Sequence, residues 1–243
     1  MPARRRLQRL IAILALVMPA IAAAAGAEPL RVAVAANFRS TAEALRGLYR
    51  DEGYGELTLS SASTGVLAAQ LRSGAPFDVL LAADRERPQT LFREGFGLDS
   101  PSCYAQGSLV LLGAERIDSA LADSQQSIAI ANPVSAPYGA AAVEVLGRPG
   151  FADAQARRVL RGSNVLQAYQ YFESGAADLA LVARSLSPAQ GLPIPPQWHA
   201  PIEQFALISR RSQQPELARA FLRILGSAEA APILTANGYA PCS

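Results

Sequence analysis

Residues 30–51 read LRVAVAANFRSTAEALRGLYRD, and this stretch predicts the fold class. Its first part, 30–36, is a run of β-branched and small apolar residues, which is typical of a strand buried on both faces of a sheet. Its second part, 40–51, places apolar side chains such as Leu45 and Leu48 at helical spacing. A buried strand followed at once by an amphipathic helix indicates a βα unit of a parallel sheet.

The same alternation continues along the chain. Further strands are predicted at 56–60, 77–82, 108–113, 127–131, 177–183 and 205–209. Helices are predicted at 65–73, 85–94, 140–146, 152–160, 165–174, 215–225 and 229–236. The proline-rich stretch 187–201 is predicted to be a surface connection. Two βα series, with a further strand and closing helices after the second, predict an α/β protein with two lobes and a cleft between them.

The N-terminus has the pattern of an export signal. Residues 1–9 carry four arginines and no acidic residue, 10–25 form an apolar run, and Ala25-Gly26-Ala27 fits a small-x-small cleavage site. A membrane-spanning helix is the alternative, but it needs roughly 20 apolar residues, and this run is shorter and contains Pro19. We therefore predict a signal peptide over 1–27 and a periplasmic mature protein.

The charge of the chain argues against a nucleic-acid partner. The leader holds four of the 22 basic residues and none of the 20 acidic ones, so the mature part has a net charge of about −2. Binding to nucleic acid calls for a basic patch or stripe, and a slightly acidic chain does not indicate one.

Cys103 and Cys242 are the only cysteines. A pair in an exported protein predicts a disulfide, because the periplasm is oxidising. A zinc site is the alternative, but two isolated sulfurs without a histidine cluster make a poor one.

Four short, polar and uncharged segments lie where a helix should begin. They are 36–38 (ANF), 61–65 (SASTG), 136–139 (APYG) and 162–165 (GSNV). A helix N-terminus presents free N–H groups and a positive dipole end, and therefore binds anions without a cation. Each segment alone is better explained as a helix cap than as a ligand site. Their joint placement at strand ends predicts an anion site, since ligands of open α/β sheets bind beyond these ends.

These segments, with several others in the same order, resemble the periplasmic molybdate-binding proteins. The resemblance spans essentially the whole mature chain and rests on these pieces: VAANF at 34–38, SASTG at 61–65, GAPFD at 74–78 with Ala83-Asp84, Asn132-Pro133 with APYG at 136–139, GAAD at 175–178 and NGY at 237–239. The Gly-Ala-Pro piece followed by Asp and then Ala-Asp is the most specific.

The resemblance implies a type II periplasmic binding protein fold in which each lobe is a mostly parallel sheet flanked by helices. Lobe 1 would comprise 28–106 and 205–243, and lobe 2 would comprise 107–204, with the ligand cleft between them. The implied ligand is molybdate or tungstate, held by hydrogen bonds without a metal ion or cofactor. The implied protein is a monomer that delivers this oxyanion to the membrane permease of an ABC transporter and is not an enzyme.

The resemblance also carries over a set of ligand-binding residues, as side-chain or backbone donors. They are Ala36, Asn37, Ser63 and Thr64 from lobe 1, and Tyr138 with the backbone N–H of Val165 from lobe 2. Some relatives have serine or threonine where this chain has Ala36 or Asn37, and others have a tyrosine near Ala183, whose role would pass to Tyr138.

Two other functions are open at this point. Sulfate or phosphate would fit the same donors, because the cavity radius that separates oxyanions is not visible in a sequence. An exported α/β hydrolase would need a base and an orienting acid beside its nucleophile, and His199 is the only histidine. We expect His199 to lie at the surface, and Asp78 and Asp84 to serve caps and turns, since an ionised carboxylate would harm an anion site.

Overall fold

A computed structural model of the chain describes residues 28–152 and 156–242. Within these residues the secondary structure consists of two five-stranded sheets flanked by helices. The predicted signal peptide, 1–27, lies outside the described residues. Among the residues described, no helix is both long and apolar enough to cross a membrane.

The helices and strands alternate as the sequence predicts. The strands are β1 Leu30–Ala35, β2 Leu57–Ala62, β3 Val79–Ala82, β4 Ser102–Gly107, β5 Leu109–Leu112, β6 Ile128–Ala131, β7 Val159–Gly162, β8 Leu179–Ala183, β9 Leu192–Pro193 and β10 Ile202–Ile208. The α-helices are α1 Arg39–Asp51, α2 Thr64–Arg72, α3 Glu86–Arg93, α4 Ile117–Ala122, α5 Pro137–Leu146, α6 Val165–Glu173, α7 Pro215–Leu225 and α8 Ala230–Ala236. Single 3₁₀ turns occur at Ala36–Phe38, Arg184–Leu186 and Pro196–Trp198.

The two sheets share one topology. The first has the strand order β2-β1-β3-β10-β4 and the second has the order β7-β6-β8-β5-β9. In each sheet the first three strands are parallel and the fourth is antiparallel to its neighbours. The chain passes from the first sheet to the second between Gly107 and Leu109 and returns between Pro193 and Ile202. The lobe boundaries at 106/107 and 204/205 stay a prediction.

Strand β1 shows why the opening stretch forms this fold. Successive side chains point to opposite faces, so Val32 and Val34 pack with Leu45 and Phe221 of α1 and α7. Ala33 faces the other way and packs with Leu67 and other residues on the opposite face of the sheet. Helices thus cover both faces, which is why the strand is apolar at nearly every position.

One predicted helix is wrong. The stretch 152–160 was expected to be helical, but Val159–Gly162 is strand β7, paired in parallel with β6 at the edge of the second sheet. Its alanines and arginines suit a helix, whereas pairing with a neighbouring strand outweighs such local preferences. Residues 153–155 lie outside the described residues.

Three elements were not predicted: strand β4, helix α4 and the two-residue strand β9, which pairs with β5 within the stretch predicted to be a surface connection. Strand β4, with the sequence SCYAQG, pairs with β10 although alanine and glycine are depleted in strands. The predicted disulfide is confirmed: Cys103 on β4 is bonded to Cys242. Beside it, Gln106 and Ala240 exchange two backbone hydrogen bonds of 2.8 and 2.9 Å, so the C-terminal segment is fixed to this edge of the first sheet.

Candidate functional site

The carboxyl ends of the parallel strands in the two sheets lead into one region. In the first sheet, β1 runs into the 3₁₀ turn Ala36–Phe38 and β2 is followed by α2. In the second sheet, β6 is followed by α5 and β7 by α6. Four helical segments therefore begin at facing sheet edges, which is the usual position of ligand sites in open α/β sheets.

A small cavity lies between these four segments. All six predicted site residues line it, together with four that the sequence analysis did not select; the ten are Ala35, Ala36, Asn37, Ser63, Thr64, Ala136, Pro137, Tyr138, Asn164 and Val165. Its total volume, including the part open to solvent, is about 190 Å³, below the roughly 300–1,000 Å³ of pockets for drug-sized molecules. The cavity therefore suits a compact ligand.

None of the ten described lining residues has an acidic or a cationic side chain. Its single titratable lining group is the phenol of Tyr138, and burial raises the pKa of Tyr138 well above its usual value, with a smaller contribution from nearby tyrosines. The phenol therefore stays neutral at any working pH. Any charge inside the cavity must come from the ligand.

Three helix N-termini supply backbone donors to this wall. Thr64 and Val165 are the first residues of α2 and α6, and Tyr138 is the second residue of α5, after Pro137. The first N–H groups of a helix have no acceptor within their own helix. They also lie at the positive end of the helix dipole, which favours an anion.

The Ser63 hydroxyl has no hydrogen-bond partner among the described residues. Ser63 precedes α2, is only 4% exposed, and makes no capping hydrogen bond to that helix. An unpaired buried hydroxyl costs about 1–3 kcal/mol, and such groups in native proteins call for an explanation. Because Ser63 lines the cavity, a ligand with acceptor oxygens would satisfy it.

The side chains of Asn37 and Thr64 are already engaged within the protein. Asn37 Nδ2 donates to Gln204 Oε1 at 2.8 Å and to the Tyr239 hydroxyl at 2.9 Å, which uses both of its hydrogens. Thr64 Oγ1 accepts a hydrogen bond from the Ala83 N–H at 3.0 Å. Asn37 is therefore left with its backbone N–H as a donor, whereas the Thr64 hydroxyl keeps its hydrogen.

The Tyr138 hydroxyl lies where the chain passes from the first sheet to the second. Any side chain on Gly107 would collide with it, and the amide of Gln204 lies beside that point. Gly107 is the last residue of β4, where the chain leaves the first sheet. Because Gly107 has no side chain, the Tyr138 ring of the second lobe can pack against the end of β4.

The rim of the cavity is closed by direct contact of helices α2 and α3 with the loop that precedes α5. The Gly65 N–H of α2 donates to the Ser135 carbonyl at 2.8 Å, and the Arg87 guanidinium donates to the Val134 carbonyl at 2.8 Å. A Cβ on Gly65 would lie 3.0 Å from both Cα and O of Ser135. A larger residue at position 65 would fit only if Ser135 moved by a few tenths of an ångström.

The other candidate groups lie away from the cavity. Asp84 caps the first turn of α3 by accepting from the Arg87 N–H, as expected. Asp78 instead forms a buried ion pair with Arg31 and accepts from Ser212, because the buried carboxylate needs charged and polar partners. His199 contacts the adjacent Ala200 carbonyl. Among the described residues, no group of three or more His, Cys, Asp or Glu side chains could hold a metal ion.

Of the four lining residues that the sequence analysis missed, Asn164 had a visible signal. Its side chain accepts from the Gln167 N–H at 3.0 Å and thereby caps α6. It belongs to the same GSNV segment as Val165, so a cap residue beside a proposed donor could have been selected. Ala35, Ala136 and Pro137 have no polar side-chain atom, and only packing reveals that they line the wall.

A family model described as bacterial extracellular solute-binding protein matches residues 30–240. The chain belongs to this family. The molybdate-binding protein ModA of Azotobacter vinelandii is 35% identical over 234 residues, which cover 90% of this chain and 92% of that protein. ModA of Rhodobacter capsulatus is 34% identical over 236 residues, 93% of each chain. The resemblance to molybdate-binding proteins found in the sequence is thereby confirmed.

Solved structures agree with the family assignment. The periplasmic molybdate-binding protein of Azotobacter vinelandii matches with a TM-score of 0.80 and 32% identity, covering 88% of this chain and all of that one. The sulfate-binding protein SubI from Mycobacterium tuberculosis H37Rv matches with a TM-score of 0.73 at 14% identity, covering 88% and 87% of the two chains. The second likeness shows a shared fold alone. The predicted two-lobed type II fold of this solute-binding protein is confirmed.

Proposed function

We propose that this solute-binding protein captures molybdate or tungstate in the cavity between its two sheets. The observation that carries the proposal is the wall itself: uncharged donors from four helical segments, with the Ser63 hydroxyl left unpaired. The relatives at 34–35% identity are named as molybdate-binding proteins, which supports the same ligand here.

A tetrahedral dianion fits this wall for electrostatic reasons. Hydrogen bonds from neutral donors to a charged acceptor contribute roughly 1.5–3 kcal/mol each, so several of them hold a dianion without a salt bridge. We propose the backbone N–H groups of Asn37, Thr64, Tyr138 and Val165 and the hydroxyls of Ser63 and Thr64 as the donors. Ala36 lies in the same 3₁₀ turn as Asn37 and contributes backbone atoms to the wall of the cavity.

The lining of this cavity suits neither metal binding nor catalysis. Its lining contains no histidine, cysteine, aspartate or glutamate, the residues that bind metals or act as general bases. Carbonyl-rich or carboxylate-rich walls suit cations, whereas this wall is rich in N–H and O–H donors. We therefore propose a binding protein without enzymatic activity or cofactor.

The wider role follows from the family. We propose that the mature protein works in the periplasm after removal of 1–27, as a monomer. We further propose that it hands its oxyanion to the membrane permease of an ABC importer.

Calorimetric titration of residues 28–243 with molybdate, tungstate, sulfate and phosphate tests the proposal. Molybdate and tungstate should bind at least a hundredfold more tightly than sulfate or phosphate, a difference of about 2.7 kcal/mol. Equal or tighter binding of sulfate or phosphate would favour the alternative oxyanion. Absence of heat with all four anions, in a protein that unfolds cooperatively, would refute an oxyanion site.

A further inference from the structure

Asn37 is the centre of a buried hydrogen-bond network whose other members do not line the cavity. Its side-chain Nδ2 donates to Gln204 and Tyr239, and the Tyr239 hydroxyl donates back to the Asn37 carbonyl at 2.9 Å. Gln204 is itself held by the Ile202 carbonyl at 3.0 Å. Asn37, Gln204 and Tyr239 are each at most 4% exposed. Gln204 and Tyr239 thus hold both the side chain and the carbonyl group of Asn37.

The same carbonyl receives a second hydrogen bond from the opposite lobe. Ser185 Oγ donates to the Asn37 carbonyl at 2.8 Å, and Ser185 is 6% exposed. Ser185 lies in the 3₁₀ turn Arg184–Leu186, directly after β8 of the second sheet. A carbonyl oxygen has two lone pairs, so it accepts from Tyr239 and Ser185 together. The bond from Ser185 crosses between the lobes and therefore exists only when they are close.

We infer that Tyr239 and Ser185 are positioning residues for the oxyanion: they hold Asn37 so that its backbone N–H faces the cavity. This inference rests on the proposed function. Tyr239 can hold Asn37 whether the two lobes are apart or together, because it belongs to the same lobe as Asn37. Ser185 can do so only while the two lobes are together, here called the closed state, and its hydroxyl stabilises that state without touching the ligand.

The C-terminal segment fixes Tyr239 in place. Tyr239 lies three residues before Cys242, which is bonded to Cys103, and the intervening Ala240 is paired with Gln106. Burial raises the pKa of Tyr239 above its usual value, so its hydroxyl keeps the proton that it donates. The position of the Asn37 backbone is thus tied to the edge strand β4 through a tyrosine.

Replacement of Ser185 by alanine gives the decisive measurement. After dilution into unlabelled molybdate, labelled molybdate should leave Ser185→Ala up to about ten times faster than the parent. Tenfold corresponds to about 1.4 kcal/mol, the upper end of what one hydrogen bond contributes. The association rate should scarcely change, because the bond forms after the anion enters. A purely structural role for Ser185 would lower stability without this selective change in the dissociation rate.

Ser127→Ala is the matched control. Ser127 is also 6% exposed and lies in the same lobe, but its hydroxyl donates to Asp178 at 2.6 Å, at the start of β6 and away from the cavity. Ser127→Ala should lower the stability of the ligand-free protein in urea and leave molybdate dissociation at the parent rate. Ser185→Thr, which keeps a hydroxyl, should retain most of the parent's affinity.

Tyr239→Phe tests the other half of the inference. It should weaken molybdate binding by about tenfold, whereas Tyr49→Phe, which removes a buried hydroxyl without a partner in the described chain, should leave binding unchanged. Combined with Ser185→Ala, the loss should be smaller than the product of the single losses, because both hydroxyls act on one carbonyl.

Two failures are distinguishable. If the parent binds molybdate and Ser185→Ala releases it at the parent rate, the positioning inference is wrong while the proposed function stands. If the folded parent binds none of the four oxyanions, the proposed function fails first, and the inference falls with it.

Discussion

Replacing Ser63 by alanine should weaken oxyanion binding without weakening the ligand-free fold. The Ser63 hydroxyl is buried and has no partner in the described part of the chain, and it makes no capping bond to α2. Its removal therefore breaks no hydrogen bond of the free protein. Because an unpaired buried polar group costs about 1–3 kcal/mol, the ligand-free variant should be at least as stable as the parent.

The effect on affinity has the opposite sign. In the complex the hydroxyl would donate to a charged oxygen, an interaction worth roughly 1.5–3 kcal/mol. Its loss should raise the dissociation constant for molybdate by roughly ten- to 150-fold. Few buried substitutions combine a loss of affinity with an unchanged or higher free energy of unfolding.

Thr64→Val is the matched variant for stability. Thr64 adjoins Ser63 and is also buried, but its Oγ1 accepts from the Ala83 N–H at 3.0 Å. Valine keeps the shape of the side chain and leaves that N–H unpaired, at a cost of about 1–3 kcal/mol in the free energy of unfolding. The two variants should thus differ in stability: Thr64→Val destabilises the free protein and Ser63→Ala does not.

Calorimetric titration with molybdate and urea unfolding of the ligand-free proteins measure both quantities. A parent-like dissociation constant for Ser63→Ala would remove the Ser63 hydroxyl from the site. A loss of unfolding free energy as large as that of Thr64→Val would mean that the hydroxyl has a partner within the protein, and the reasoning from its burial would be wrong.

Three further predictions concern the anion, the rim and the disulfide. Thr64→Asp should abolish measurable molybdate binding in calorimetry, because it sets a carboxylate against a dianion in a partly desolvated cavity; binding like the parent's would contradict the proposed site. Gly65→Ala should weaken binding severalfold, since its Cβ would press on Ser135 at the closed rim. Calorimetric titration with molybdate checks this, and an affinity equal to the parent's would contradict it. Changing Cys103 and Cys242 to serine should lower the free energy of unfolding by about 2–4 kcal/mol, and an unchanged urea midpoint would show that the bridge adds nothing.

The sequence by itself determined the βα series and the segments that build the wall. Strand β1 and helix α1 can be predicted because their burial leaves a local pattern. The strand is a run of apolar residues, and the helix has apolar residues at helical spacing. The same reasoning places the segments that hold Thr64, Tyr138 and Val165 where helices begin, and the resemblance to molybdate-binding proteins selected these three residues as proposed donors. The pairing of Cys103 with Cys242 needed only the count of cysteines and the export signal.

The tertiary structure decided which atom of each residue is available to a ligand. The Asn37 side chain turns away because Gln204 and Tyr239, 167 and 202 residues further along the chain, supply its partners. The unpaired state of the Ser63 hydroxyl is likewise a property of its surroundings. Strand β7 exists because an edge of the second sheet offers it hydrogen bonds, although the alanines and arginines of 152–160 suggest a helix. Local sequence fixes where a helix begins, whereas the direction of a polar side chain depends on partners that only folding brings within about 3 Å.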